Sequence, residues 1–347
     1  MKIGIASDLP MAAEALRRAM SLRPEYEVIW VAHDGEAAVA SCAQQTPDLI
    51  LMDLILPGMS GVEATRRIMA ATPCAILVVT ANVGTSATGV FEAMGSGALD
   101  AVDTPPLGSK NARASAAPLL AKIDSIGKRI GDRNERPSSA AEDCLFSPVL
   151  RENRLVAIGA SAGGPAALAK LLSGLPKDFP AAIVIVQHVG SQFSMGLADW
   201  LGQHSHIPLR VAKEGDRPTN GSVLLAGTSD HLTLTASGRL GYTHEPSDCV
   251  YRPSVDVFFH SVCQFWSFEA VGVLLTGMGR DGATGLRALR DKGCHTIAQD
   301  QASSAVYGMP KAAAMLDAAV DILALDLIAP TLVTILARGC ADHRARQ

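Results

Sequence analysis

Ser161 stands in the run Gly159-Ala160-Ser161-Ala162-Gly163, a G-x-S-x-G pattern whose small residues allow a sharp turn to expose a hydroxyl beside the start of a helix. Four apolar residues (155–158) lead into it, and the helical spacing of Leu168, Leu171 and Leu172 follows it. The order is therefore strand, tight turn, helix. Amide N–H groups and the positive end of the helix dipole at such a turn favour an oxyanion, which is what a serine attacking a carbonyl needs. The same residues also suit a glycine-rich turn that binds phosphate or only packs closely. The five-residue pattern alone does not separate these readings.

A serine nucleophile requires a base, and the base requires a partner that fixes its tautomer. Of nine histidines, His188 follows the apolar run 181–187 directly, which puts it at the carboxyl end of the next strand, the edge that carries Ser161. His204, His206, His231, His244 and His260 lack that placement, and His295 lies near the wrong end of its strand. For the acid, the run 271–276 ends in Gly277-Met278-Gly279-Arg280-Asp281-Gly282 at the same edge. Asp281 is the choice. Its bland role is to cap a helix beginning near Ala283, and Asp300 is the competing acid. The glycines around Met278 allow its N–H to point inward as an oxyanion donor. The order Ser161, His188, Asp281 differs from the Ser, acid, His order of α/β-hydrolases. A dinucleotide site is disfavoured, because its fingerprint would put glycine at position 161 and an acid where Gln187 ends the next strand. No H-E-x-x-H or comparable metal spacing occurs.

Stepping along the chain, strand-like runs at 3–6, 28–32, 49–52, 75–80 and 98–102 alternate with helix-like runs at 11–20, 36–44, 62–70, 90–94 and about 119–130. Five β–α units predict a doubly wound parallel sheet with its crevice at the carboxyl ends of the strands. Asp8, Asp53 and Thr80 fall at those ends. The stretch 131–153, GDRNERPSSAAEDCLFSPVLREN, is polar and lacks a sustained apolar period, so it reads as a linker. Beyond it, apolar runs at 181–186, 209–211, 223–226, 271–276 and 296–298 predict a second α/β sheet. The alternation at 231–235, the turn Ser237-Gly238 and the run 239–243 add an antiparallel hairpin. The division is 1–130, 131–153 and 154–347.

Composition bounds the reading. A chain of 347 residues suits two domains, each able to bury its own core, and 48% hydrophobic against 18% charged residues is globular. A net charge of −4 supplies no basic field for nucleic acid. The seven cysteines are widely spaced with no C-x-x-C pair, so they are expected as reduced thiols. No run approaches the roughly 18 apolar residues of a membrane span, so a cytoplasmic protein that is not membrane-inserted is expected.

Two families are visible in these motifs. LILMDLILPGMSGVEATRRI (49–68), LVVTA (77–81) and Asp8 resemble the receiver domain of response regulators, a flavodoxin-like fold. The resemblance implies that Asp53 accepts a phosphoryl group from a histidine kinase of the CheA type, that Asp8 and Asp53 hold Mg²⁺, and that the hydroxyl of Thr80 moves towards the phosphate. Two positions depart from the pattern: Ser7 stands where receivers carry the first of two acids, and Thr104 where they carry a lysine. Losing one charge of each sign leaves the pocket balanced but should weaken Mg²⁺. The segments IGASAGG, VQHV, RPSVDVFFHS and LLTGMGRDGA are similar to the catalytic domain of the CheB-type protein-glutamate methylesterases. By motif, that family's serine, histidine and aspartate fall on Ser161, His188 and Asp281, and Ala162 replaces a frequent hydroxyl residue. Residues 6–20 and GALDAVDTP (97–105) look most like the Wsp branch, associated with surface sensing and cyclic-di-GMP control.

The resemblance implies a phosphorylation-regulated hydrolase of glutamate γ-methyl esters on methylated, chemoreceptor-like coiled-coil proteins, with glutamine deamidation as a second activity. It needs no cofactor for the ester, and a monomer is expected. The non-enzymatic alternative is a phospho-switched docking protein. A transcriptional regulator is opposed by an output domain of about 190 glycine-rich residues with no basic helix-turn-helix pattern.

Overall fold

The structure, a computed structural model, describes residues 1–81, 83, 86–107, 112–131, 154–247 and 249–344. The chain forms two compact units, Met1–Asn134 and Glu135–Gln347. Of the segment read as a linker, residues 132–153 lie outside the described residues.

The first unit runs β1 (Lys2–Ala6), α1 (Pro10–Ser21), β2 (Glu27–Ala32), α2 (Gly35–Gln44), β3 (Leu49–Asp53), α3 (Gly61–Ala71), β4 (Ala75–Thr80), α4 (Ala87–Gly95), β5 (Asp100–Asp103) and α5 (Ala112–Gly131). Its sheet is parallel throughout in the order β2-β1-β3-β4-β5, the flavodoxin-like doubly wound arrangement. All of β4, and β3 up to Asp53, is buried, because helices cover both faces, and that is why these strands read as unbroken apolar runs. Helix starts follow local chemistry. Pro10 opens α1, while Asp34 and Ser60 cap α2 and α3 by accepting from Ala37 N at 2.6 Å and Glu63 N at 3.3 Å. Helix α5 begins at Ala112 rather than near 119, because the alanine-rich stretch before Pro118 continues the helix on its N-terminal side. Cys42 and Cys74, 32 positions apart, meet with their sulfurs 3.9 Å apart and remain free thiols.

The second unit runs β6 (Leu155–Ala160), α6 (Gly164–Ser173), β7 (Ala182–Gln187), α7 (Ser191–Gly202), β8 (Leu209–Val211), β9 (Val223–Leu225), β10 (His231–Leu234), β11 (Leu240–Thr243), α8 (Val255–Phe265), β12 (Ala270–Leu274), α9 (Ala283–Asp291), β13 (His295–Gln299), α10 (Met309–Met315), β14 (Asp321–Leu323) and α11 (Leu325–Arg344). Seven parallel strands form one sheet in the order β14-β13-β12-β6-β7-β9-β8. The hairpin β10–β11 is a separate two-stranded sheet rather than an extension of the main one. It packs on α8: Leu232, Leu234 and Leu240 share a core with Phe258, Phe259 and Val262, and Leu234 N donates to Ser261 Oγ at 2.8 Å. Among the described residues, no helix is long and apolar enough to cross a membrane.

Candidate active site

β6 lies between β7 and β12, where the strand order reverses, and at such a switch point the loops leaving neighbouring strands part to open a crevice. Three loops meet there. Register puts Ser161 and His188 side by side, each one residue past the last paired position, Ala160↔Gln187, with His188 N donating to Ala160 O at 3.0 Å. Across β6, Leu274 pairs with Gly159, and Ser161 N donates to Thr276 O at 3.0 Å. The loop leaving β12 then delivers Met278 and Asp281.

The turn at Ser161 depends on its glycines. Gly163 has φ +79°, a left-handed conformation, and a Cβ there would meet Ala305 Cβ at 2.5 Å and Thr276 Oγ1 at 3.0 Å. A Cβ on Gly159 would collide with Val255, so this glycine lets the start of α8 approach the sheet. Gln187 closes the elbow from behind: fully buried, it donates from Nε2 to Ser161 O at 2.9 Å and to His188 O at 3.2 Å. Because Ser161 N–H is spent on Thr276 O, it is not an oxyanion donor. Among the described residues, no protein acceptor takes the N–H of Ala162, Gly163 or Met278. Met278 N–H, the donor expected from sequence, therefore stands as a candidate beside the N–H groups of Ala162 and Gly163.

His188 and Asp281 are joined at 2.7 Å, Nε2 to Oδ2, with 3% and 6% of their surfaces exposed. Burial raises the Asp281 carboxyl, but the hydrogen bond and charge of His188, with Val255 N–H and the Ser254 hydroxyl, outweigh it and hold the group below its usual value. Asp281 Oδ2 also accepts from Val255 N at 2.6 Å, and Oδ1 from Ser254 Oγ at 2.8 Å and Asp256 N at 3.1 Å. The carboxylate therefore sits on the N-terminus of α8, where the dipole favours negative charge. Since a carboxylate only accepts, His188 carries its proton on Nε2, and Nδ1 is the nitrogen able to take another. The ring nitrogens are thus exchanged relative to the serine-protease arrangement. Tyr251 stacks on His188 with centroids 4.5 Å apart, and its hydroxyl donates to Met278 O at 3.5 Å, bridging the two loops. Asp256 is pushed up to about 6 by burial and by the charge of Asp281.

The competing assignments fall elsewhere. Gly282, not Asp281, is the N-cap of α9. Asp300 Oδ1 accepts from Ser303 N and Oγ at 2.9 and 2.6 Å, within its own turn. His295 opens β13 and pairs with Asp321 at 2.8 Å. Sequence reasoning missed Gln187, Ser254 and Tyr251 as parts of this site, and the position of Ser254 just before an apolar helical run was the one local signal available.

Comparison with known proteins decides the family. Residues 156–332 match the CheB methylesterase model, and residues 3–106 match the response regulator receiver domain. A protein-glutamate methylesterase/protein-glutamine glutaminase of Burkholderia thailandensis is 59% identical over 99% of this chain and 100% of its own length. One of Pseudomonas savastanoi is 61% identical over 96% of this chain and 99% of its own. The chain belongs to the CheB methylesterase family. The crystal structure of the Thermotoga maritima CheB methylesterase catalytic domain is 32% identical, with a TM-score of 0.51, and covers 53% of this chain and 98% of that one.

In the receiver of this CheB-family chain, Asp53 ends β3 and Asp8 follows β1, again where strand order reverses. Ser7 donates to Asp53 Oδ2 at 3.4 Å, and Ile55 N donates to Oδ1 at 3.2 Å. Burial, then the like charge of Asp8, push the Asp53 carboxyl up. Thr80 is 4% exposed and shares a 3.3 Å hydrogen bond with Ser86. Thr104 N donates to Thr80 O at 2.8 Å, so the position where receivers place a lysine is tied to the end of β4. Two carboxylates that repel one another fit a hard dication that takes one or two carboxylates and fills its shell with water and phosphate oxygens. Among the described residues, no cluster of three or more ligating side chains occurs.

Proposed function

We propose that this protein hydrolyses γ-glutamyl methyl esters on chemoreceptor-like coiled-coil helices, with glutamine deamidation as a second activity, in the cytoplasm and under control of Asp53 phosphorylation. The observation that carries it is the buried 2.7 Å pair of His188 and Asp281 next to Ser161 in a chain of this family. Ser161 Oγ attacks the ester carbon while His188 Nδ1 takes the hydroxyl proton. Ala162 N–H and Met278 N–H receive the oxyanion, and Asp281 stabilises the imidazolium without taking its proton. Collapse expels methoxide, which takes the proton from His188 and leaves as methanol. Water then attacks the acyl-enzyme by the same route, returning Ser161 and releasing glutamate. With glutamine the leaving group is ammonia.

In the receiver, Asp8 and Asp53 would hold Mg²⁺, which supplies charge neutralisation for phosphoryl transfer from a CheA-type kinase. Asp53 is the nucleophile, and Thr80 is the hydroxyl that responds. Residues 6–20 and 97–105 support the Wsp branch. The test is methanol release from a methylated receptor fragment, with a phosphodonor added or withheld. Wild type should release methanol and Ser161→Ala should not, and the phosphodonor should change the rate in wild type but not in Asp53→Asn. Receptor binding without methanol release would favour a docking protein instead.

A further inference from the structure

We infer that His231 is a positioning residue of this active site: through Ser254 it fixes the N-terminus of α8 that holds the Asp281 carboxylate against His188. The inference rests on the esterase reading above. His231 opens β10, on the sheet separate from the one that carries Ser161, and it is fully buried. Its Nδ1 accepts from Ser254 N at 3.1 Å, so that nitrogen carries no proton. Its Nε2 must then hold the ring proton, donated to Pro246 O at 3.2 Å. Both nitrogens are committed, and only one neutral tautomer satisfies both partners.

Ser254 passes the constraint on. Its hydroxyl donates to Asp281 Oδ1 at 2.8 Å and accepts from Val257 N at 3.3 Å as the cap of α8. Oδ2 of the same carboxylate meets His188. The relay from Pro246 to His188 therefore ties the hairpin to the reacting groups. Protonating His231 would set an N–H against the Ser254 N–H and break the relay at its second link. Burial holds the imidazole below its usual range, as does the facing charge of Arg252, against opposing pulls from Asp281 and Asp230.

The test uses the full chain and methanol release from a methylated receptor fragment. His231→Asn places an amide oxygen near the Nδ1 position and keeps the bond to Ser254, whereas His231→Gln places its amide near Nε2 and keeps only the Pro246 contact. A hydrogen bond serving a charged group translates to about 10- to 100-fold in rate. We expect His231→Gln to lose that much in kcat with KM within about twofold, and His231→Asn to recover at least tenfold of it. A second readout is the low-field proton resonance of the His188–Asp281 hydrogen bond in the free protein. It should persist in His231→Asn and shift or vanish in His231→Gln. Equal kcat in the two variants, or a resonance unchanged in both, overturns the inference. A wild type that releases no methanol would sink the esterase reading, while the resonance would still decide the role of His231.

Discussion

Both α/β units put their chemistry at the carboxyl edge of a parallel sheet where strand order reverses, yet the two pockets differ in how firmly they hold their groups. Ser161, His188 and Asp281 are each less than a tenth exposed, and Asp281 alone collects four hydrogen bonds. Asp8 and Asp53 are only partly buried, and Asp53 receives a long bond from Ser7 and one from Ile55 N. The electrostatics differ in sign as well. The Asp281 carboxyl is held down chiefly by its hydrogen bond from His188 and by those from a helix terminus, whereas Asp53 is pushed up by burial and a like charge. A site that supplies every proton and charge itself must fix them in advance. On the proposed reading the receiver takes its phosphoryl group and cation from outside, so it has to leave room for both and tolerates charges that are unfavourable until they arrive.

The largest effect expected on this comparison is that of Ser161→Ala, which should cost about 10⁴-fold or more in kcat while leaving the thermal unfolding midpoint near that of wild type. Next comes Asp281→Asn, with a loss of about 10³- to 10⁴-fold, because the amide disturbs the tautomer of His188. Asp300→Asn should stay within about twofold. The opposite ranking of the two aspartates in a methanol-release assay would remove Asp281 from the mechanism.

A smaller effect tests the electrostatics directly. The folded-state value of Asp256, about 6, lies above the ordinary carboxyl range near 3.9. The protonated form is therefore favoured by folding, and that stabilisation is complete below about pH 3.9 and lost as pH rises through about 6. Asn can accept the Gly285 N–H as Asp256 Oδ1 does at 2.7 Å. Asp256→Asn should therefore gain about 1–3 kcal/mol at pH 8 and little at pH 4, read from denaturant melts at both. Equal shifts at both pH values would show that burial and Asp281 do not strain this carboxylate.

The smallest effect belongs to the open pocket. Ser7→Asp adds an anionic ligand and should lower the Mg²⁺ midpoint for phosphorylation of Asp53 several-fold, while Thr104→Lys should raise it through repulsion. The double substitution should return it to near the wild-type value. If neither single change moves the midpoint, charge compensation does not describe this receiver. A wild type that a competent kinase cannot label at any Mg²⁺ concentration would make the receiver a docking module.

Much of this was open to sequence reading because it is local. The glycines and apolar run around Ser161 dictate a strand-turn-helix, and runs covered on both faces mark the strands whose ends carry Asp53 and His188. The hairpin announced itself by alternation and a Ser-Gly turn. The three residues of β14 carry too short a pattern to see, and the alanines before Pro118, though helix-capable, include no large apolar residue to mark a helix face.

What the sequence could not contain is the order in which strands lie beside one another, since that follows from burying both faces of the sheet at once. Only that packing brings the loop after β12 next to β6 and turns Asp281, rather than Asp300, towards His188. The same packing seats the start of α8 on Gly159, and so gives the Asp281 carboxylate a helix terminus to rest on. It also decided which nitrogen of His188 carries the proton, because a tautomer is set by the partner a ring meets across the fold. His231 and Gln187, unremarkable by position, acquire their roles for the same reason: each is buried, and a buried polar group must find its hydrogen bonds wherever the tertiary structure places them.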